Sequence, residues 1–241
     1  MIITISALIL SVPVGGLLVA VLDKKNNDHI IKLMLAFSGG FLLSLAFIHF
    51  IPELYEHSSV KIGIFILVGF LVQLILEFFS GGIEHGHVHS VHGKAIPITL
   101  VVALSVHAFL EGIPLGTQLA GAEIATTHHH GSESGLLMGI LLHRIPVAIA
   151  LSSVLFASTI SRVKVWLILG SFALVTPIGL LLGWSSVGEL EFNFDIILAI
   201  VVGMFLHIST TIIFETSENH KFNFIKLLTI LGGTALAFLI H

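Results

Sequence analysis

Three residues of this chain have side chains and a spacing that suit binding of a divalent metal ion: His107, Glu111 and His143. His107 and Glu111 lie four positions apart in the segment SVHAFLEGIPLG, so they share one face if that segment is helical. His143 lies in a second apolar segment, LLHRIPVAIAL. Two neutral imidazoles and one carboxylate are ligands that zinc favours. The alternative is that these side chains form only hydrogen bonds between helices.

The composition places these residues in a membrane protein. Hydrophobic residues make up 56% of the chain and charged residues 10%, whereas about a quarter of the residues in a soluble domain are charged. With a net charge of -4 the chain has no basic surface for nucleic acid, so we expect no nucleic-acid partner. The expected partners are a metal ion and membrane lipid. The chain has no cysteine, which excludes thiolate ligands.

Eight apolar segments are long enough to cross a bilayer, because a spanning helix needs about 20 mostly apolar residues. We therefore predict an all-α polytopic membrane protein with a single transmembrane domain over residues 1–241. The predicted spans cover approximately residues 3–22, 30–52, 61–80, 95–120, 135–157, 163–184, 194–215 and 223–240.

The distribution of basic residues predicts the orientation of the chain. If the odd-numbered breaks between spans face the cytoplasm, most basic side chains lie in or beside cytoplasmic breaks: Lys24, Lys25, Lys32, Lys94, Arg162, Lys164, Lys221 and Lys226. The positive-inside rule then places both termini outside the cytoplasm. We expect the protein to lie in the plasma (inner) membrane.

Spans four and five each contain a proline, Pro114 and Pro146 respectively. Proline removes one backbone hydrogen bond from a helix. A broken helix in lipid is tolerated only where protein surrounds it or where it lines a cavity. We therefore predict that spans four and five form the centre of the bundle and that the other six surround them.

Arg144 follows His143 directly and needs a partner at membrane depth. We expect Arg144 to pair with Glu111, taken as the only carboxylate clearly in the middle of a span, or to lie close enough to influence its charge. The alternative is that Arg144 lies near the end of span five and extends to the membrane surface.

Polar residues near the ends of spans two and seven are candidates for an ion path to and from the centre. His49 and Glu53 lie four positions apart where span two ends, and we assign them to entry. His207 and Glu215 lie in span seven and are assigned to exit. The alternative for these positions is an ordinary interfacial cap or a solvated helix end.

The break between spans three and four, at about residues 81–94, has the sequence IEHGHVHSVHGK, and its histidines are His85, His87, His89 and His92. On the predicted orientation this loop is cytoplasmic. A flexible histidine tract favours weak, exchangeable metal capture over a site of fixed geometry. Three more histidines, at positions 128–130, lie in the next break, on the opposite side.

These motifs together resemble the ZIP (Zrt/Irt-like) family of metal-ion transporters over nearly the whole chain. SVHAFLEGIPLG is similar to the family's fourth-span pattern of His, three residues and Glu-Gly. GGFLLSLAFIHFIPELYE is similar to its second span, and HRIPVA to a reduced form of its fifth-span pattern. The resemblance implies a central transport site on His107, Glu111 and His143. It also implies two inverted three-helix repeats with spans four and five between them, and an elevator-like or rocking movement.

Three positions depart from the family pattern. Ala108 stands where the family usually has asparagine, Val147 where it usually has glutamate, and Arg144 where a second polar ligand often follows the histidine. Many members are expected to hold two metal ions bridged by two glutamates. Because one of these glutamates is missing and Arg144 can replace the second cation, we predict a single-metal site that water completes.

We therefore predict a transporter, and not an enzyme, that moves a divalent metal ion, most plausibly zinc, toward the cytoplasm. Iron, manganese, cobalt, nickel and cadmium also suit histidine–carboxylate sites, because affinity alone separates divalent ions poorly. One alternative is an intramembrane metal-dependent hydrolase, although no HExxH motif is present. Another is a ZIP homologue that has lost transport and acts as a metal buffer or sensor. The sequence also leaves a homodimer open.

Overall fold

The structure is a computed structural model that describes residues 1–21, 27–57, 61–80, 98–121, 132–187, 193–215 and 224–240. Within these residues the chain forms helices and no strand. In chain order the helices are α1 (Ile2–Val21), α2 (Asn27–Leu45), a π-helical turn (Ala46–Phe50), α3 (Ile51–His57), α4 (Ile62–Ser80), α5 (Ile98–Leu119), α6 (Ser132–Ala157), α7 (Arg162–Ser186), α8 (Phe194–Glu215) and α9 (Phe224–Ile240).

The predicted fold class is confirmed. Seven helical stretches of the described chain are long and apolar enough to cross a membrane, and Phe224–Leu239 is a shorter apolar helix. The second span consists of α2, the π turn and α3, while α5 and α6 are the predicted spans four and five. The chain is thus an all-α integral membrane protein. The predicted histidine loops, His85, His87, His89 and His92 with residues 128–130, lie outside the described residues.

The π turn in the second span lies immediately before Pro52. Proline has no N–H to donate to the carbonyl of Ile48, and its ring crowds that carbonyl in a regular α-helix. The chain widens instead, and the Ile51 N–H bonds to the Ala46 carbonyl five residues back. Single π turns inside α-helices occur frequently at functional sites. His49 lies within this turn.

Glycines allow α5 and α7 to pack with their backbones in contact. Each helix carries two glycines four residues apart that face the other helix: Gly112 and Gly116 on α5, Gly179 and Gly183 on α7. A Cβ atom at Gly116 would overlap the Leu180 carbonyl, and one at Gly183 would overlap the Ile113 carbonyl. Small residues at this spacing are the usual means of close helix packing in lipid, where no hydrophobic force draws helices together.

The same reciprocal arrangement recurs in two other helix pairs. Gly69 and Gly203 each face the partner backbone where α4 meets α8, and Gly40 and Gly233 do so where α2 meets α9. The fourth close pair is α1 with α6, where Gly15 contacts Ala148. Since α1 also packs on α7, and α2 on α8, most helix contacts fall within two groups of four spans, which meet where α2 packs on α6 and α4 on α5. One group contains α1, α5, α6 and α7, and the other contains α2 with α3, α4, α8 and α9.

Spans four and five contact each other little, because α5 packs mainly on α7 and α6 mainly on α1. Each nevertheless touches helices from both of the three-span sets that flank it in the chain, which is the contact pattern expected of central spans. The most buried spans of the described chain are the second span, α6 and α8, whereas α5 is intermediate. Proline signals that a span needs protein around it, but the glycine positions determine which helix provides that protein.

Candidate functional site

His107 and Glu111 form a buried pair on one face of α5. His107 Nε2 lies 3.1 Å from Glu111 Oε1, and the two residues are 3% and 2% exposed. The helical spacing predicted from the sequence therefore brings the two side chains into contact. Both are polar groups within an apolar span, where ionisable side chains are costly and mark ion pathways.

His143 lies beside this pair on α6. Its ring centroid is 6.0 Å from that of His107, with the two rings nearly perpendicular, and the residue is buried. Within the described part of the chain, no group of three His, Asp or Glu residues is arranged so that it could hold a metal ion. The structure thus places the three predicted residues side by side, but their side chains would have to close around an ion to bind it together.

Arg144 is bound to α7 and makes no direct pair with Glu111 in the described chain. Its Nη2 donates to the carbonyls of Phe172 (3.1 Å) and Ala173 (3.4 Å), and its Nη1 donates to Thr176 Oγ1. The guanidinium also lies 5.0 Å from the centre of the Phe172 ring. Its charge still acts electrostatically on Glu111.

The alternative that Arg144 extends to the membrane surface is wrong, since the residue is only 3% exposed. Arg144 lies near the middle of α6, well away from both of its ends. A side chain at that depth finds its partners on the neighbouring helix.

Thr176 connects the three helices that carry the site. Its hydroxyl accepts from Arg144 on α6 and donates to the Ala108 carbonyl on α5 at 2.8 Å. Ala108 follows His107 in the chain, and Arg144 follows His143. The α7 hydroxyl therefore contacts the residue that follows each of the two candidate histidine ligands.

Two polar residues of the third span contact predicted site and pathway residues and were missed from the sequence. Gln73 is fully buried on α4, and its Oε1 lies 3.0 Å from His107 Nδ1. Glu77, one turn further along α4, places Oε2 at 3.3 Å from His207 Nδ1. Glu111 is thus not the only carboxylate within a span. The signal was present, since Gln73 and Glu77 are the only polar residues before Ser80 in ILVGFLVQLILEFFS and lie four apart.

The remaining predicted pathway residues lie on the second span and on α8. His207 is buried on α8, and its ring packs edge-on against Phe70 at 4.7 Å between centroids. His49 and Glu53 lie at the π turn and on α3, each partly exposed. The helix α8 ends at Glu215, whose side chain lies outside the described part of the structure.

Comparison with known proteins relates this chain to zinc transporters. Residues 82–241 match the family profile described as ZIP Zinc transporter. The chain is similar to Protein zntD of Dictyostelium discoideum, with 28% identity over 182 residues that cover 67% of this chain and 25% of that protein. It is also similar to Zinc transporter ZIP9 of Xenopus tropicalis, with 27% identity over 132 residues, and to Zinc transporter ZIP9 of Micropogonias undulatus, with 28% identity over 134 residues. Each of these two matches covers 52% of this chain and 40% of the relative.

The chain spans less than half the length of these relatives, from 25% to 40%. The family match nevertheless covers α5 to α9 and therefore includes the His107–Glu111 pair, His143 and His207. On this evidence the chain belongs to the ZIP zinc transporter family.

Proposed function

We propose that this protein moves a divalent metal ion, zinc before others, across the membrane toward the cytoplasm through a site on His107, Glu111 and His143. The observation that carries this proposal is the buried pair of His107 Nε2 and Glu111 Oε1, 3.1 Å apart within an apolar span. His143 lies beside it on another helix. An imidazole and a carboxylate that are buried together within a span can bind a metal ion during transport.

An ion would bind between the two side chains of α5 and draw in His143 from α6. Zinc accepts imidazole nitrogen and carboxylate oxygen, and water can complete its four ligands. Because this site has only three protein ligands on two helices, it would release its ion readily, as transport requires. Arg144, held against α7, puts a positive charge near Glu111. That charge opposes a second cation and supports a site for a single metal ion.

The other polar positions fit a path through the same bundle. His49 and Glu53 at the π turn are the proposed entry. His207, which contacts Glu77, and Glu215 at the end of α8 are the proposed exit. This order assumes that both termini lie outside the cytoplasm and that the protein is in the plasma (inner) membrane. The loop histidines His85, His87, His89 and His92 would then capture the ion on the cytoplasmic side.

Zinc uptake into sealed vesicles tests the proposed site. We expect His107→Ala and His143→Ala each to lower the uptake rate at low zinc concentration by at least about 10-fold. Loss of a ligand should cost no less than loss of the group that orients it, which is about 10–100-fold in metal affinity. The matched control is His29→Ala, because His29 lies near the start of α2 and is exposed. Uptake at the wild-type rate by both site variants would contradict the proposal.

A further inference from the structure

Gln73 is a polar residue in an unusual place. It is completely buried on α4, within a run of apolar residues, and its Oε1 faces His107 on α5. A buried amide without hydrogen bonds costs free energy, and more so in a membrane. The bond from Gln73 to His107, 3.0 Å between Oε1 and Nδ1, offsets that cost.

The two ring nitrogens of His107 therefore face two different groups. Nδ1 faces the Gln73 amide oxygen, and Nε2 faces the Glu111 carboxylate at 3.1 Å. A neutral imidazole carries one N–H and one lone pair. If Nδ1 holds the hydrogen and donates it to Gln73, the lone pair of Nε2 is directed toward Glu111, where an ion would bind.

We propose that Gln73 is the positioning residue of the metal site: its amide oxygen accepts the Nδ1–H of His107 and so presents Nε2 to the ion. This inference rests on the proposed function, since it assigns Gln73 a role at that same site. Metal-binding histidines commonly donate their second N–H to a carboxylate or carbonyl oxygen, which fixes the tautomer and the ring orientation. Here an amide oxygen from another span supplies that acceptor.

The Gln73–His107 bond also crosses between the two groups of four helices. Gln73 belongs to α4, which packs mainly on α8, and His107 belongs to α5, which packs mainly on α7. The orientation of His107 therefore depends on how α4 and α5 lie against each other.

Substitutions at Gln73 separate this role from simple packing. Gln73→Met keeps the length of the side chain and removes the acceptor, whereas Gln73→Glu keeps an acceptor oxygen. For the full chain in proteoliposomes, we expect Gln73→Met to raise the KM for zinc uptake by about 10–100-fold with a smaller change in Vmax. Gln73→Glu should stay within about 3-fold of the wild-type KM, a difference below 1 kcal/mol. The matched control is Gln118→Met, a buried glutamine of α5 whose Oε1 has no hydrogen-bond partner in the described chain.

Equal rises in KM for Gln73→Met and Gln73→Glu would overturn the inference, because a pure packing role does not distinguish the two. An unchanged KM for Gln73→Met would overturn it as well. Nitrogen-15 spectra of histidine-labelled wild-type protein provide a test that needs no Gln73 variant. The His107 signal, identified by its loss in His107→Ala, should show a protonated Nδ1 and zinc on Nε2. Zinc on Nδ1 would contradict the inference.

These measurements distinguish failure of the inference from failure of the proposed function. Normal zinc uptake by His107→Ala would refute the transport site, whereas the nitrogen spectrum of the wild-type protein would still test the bond between Gln73 and His107. If His107→Ala abolishes uptake and Gln73→Met leaves KM unchanged, the site stands and only the role of Gln73 is refuted.

Discussion

Replacing Glu111 with glutamine is expected to lower zinc uptake by at least about 100-fold, although the side chain keeps its size. The carboxylate is the only anionic group among the three proposed ligands. Without it, a divalent cation would sit in the membrane among neutral ligands, and one uncompensated charge at that depth costs about 2.5–3.5 kcal/mol. That free energy corresponds to a factor of roughly 100 or more in binding. Initial rates of zinc uptake into proteoliposomes measure the effect.

The matched control for this prediction is Asp195→Asn. Asp195 is a partly exposed carboxylate in the first turn of α8, and it is not among the proposed ligands. The same change from acid to amide there should leave the uptake rate nearly unchanged. If Glu111→Gln transports zinc within about 2-fold of the wild-type rate, well under 1 kcal/mol, the carboxylate is not a ligand during transport.

Replacing Gly183 with alanine is expected to disrupt the packing of α5 on α7. The added methyl group would overlap the Ile113 carbonyl, which belongs to a backbone that cannot rotate away as a side chain can. Forcing extra atoms into a close-packed contact typically costs about 1–3 kcal/mol. We expect a lower melting temperature in detergent and a loss of zinc uptake, because α5 carries His107 and Glu111.

Gly170 provides the control on the same helix. A Cβ atom at Gly170 meets no atom within 4 Å, and alanine favours a helix over glycine by about 1 kcal/mol. Gly170→Ala should therefore melt at the wild-type temperature or slightly above it. Equal melting temperatures for Gly183→Ala and Gly170→Ala would show that the close contact does not stabilise the bundle.

Much of the fold could be predicted from the sequence because membrane spans depend on local composition. A run of about 20 apolar residues must form a helix in lipid, where every backbone polar group needs a partner within the segment. The contact between His107 and Glu111 is local in the same sense, since it follows from their spacing on one helix. Arg144 also lies well inside span five by its position in the sequence, so its burial could have been expected from the same reasoning.

The partners of the site residues could not be predicted, because they depend on which helices touch. Gln73 bonds to His107 across 34 positions of sequence, and Arg144 bonds to Thr176 across 32. These contacts join α4 with α5 and α6 with α7, which are helix pairs that hydropathy does not identify. The motif around His143 identified the residue but not its neighbours. Gln73 and Glu77 could have been found as polar residues at helical spacing in an apolar span, although not their contacts on α5 and α8.

The most direct test of the central claim measures the zinc bound to a variant that lacks the loop histidines. In this variant the histidines at positions 85, 87, 89, 92 and 128–130 are replaced. Elemental analysis should find about one zinc ion per chain. X-ray absorption at the zinc edge should show imidazole nitrogens at about 2.0–2.1 Å and a carboxylate oxygen at a similar distance. The bound zinc should fall close to zero when His107 and Glu111 are both replaced by alanine. Retention of all the zinc by that double variant would contradict the account. Two zinc ions per chain in the variant that lacks only the loop histidines would contradict it as well.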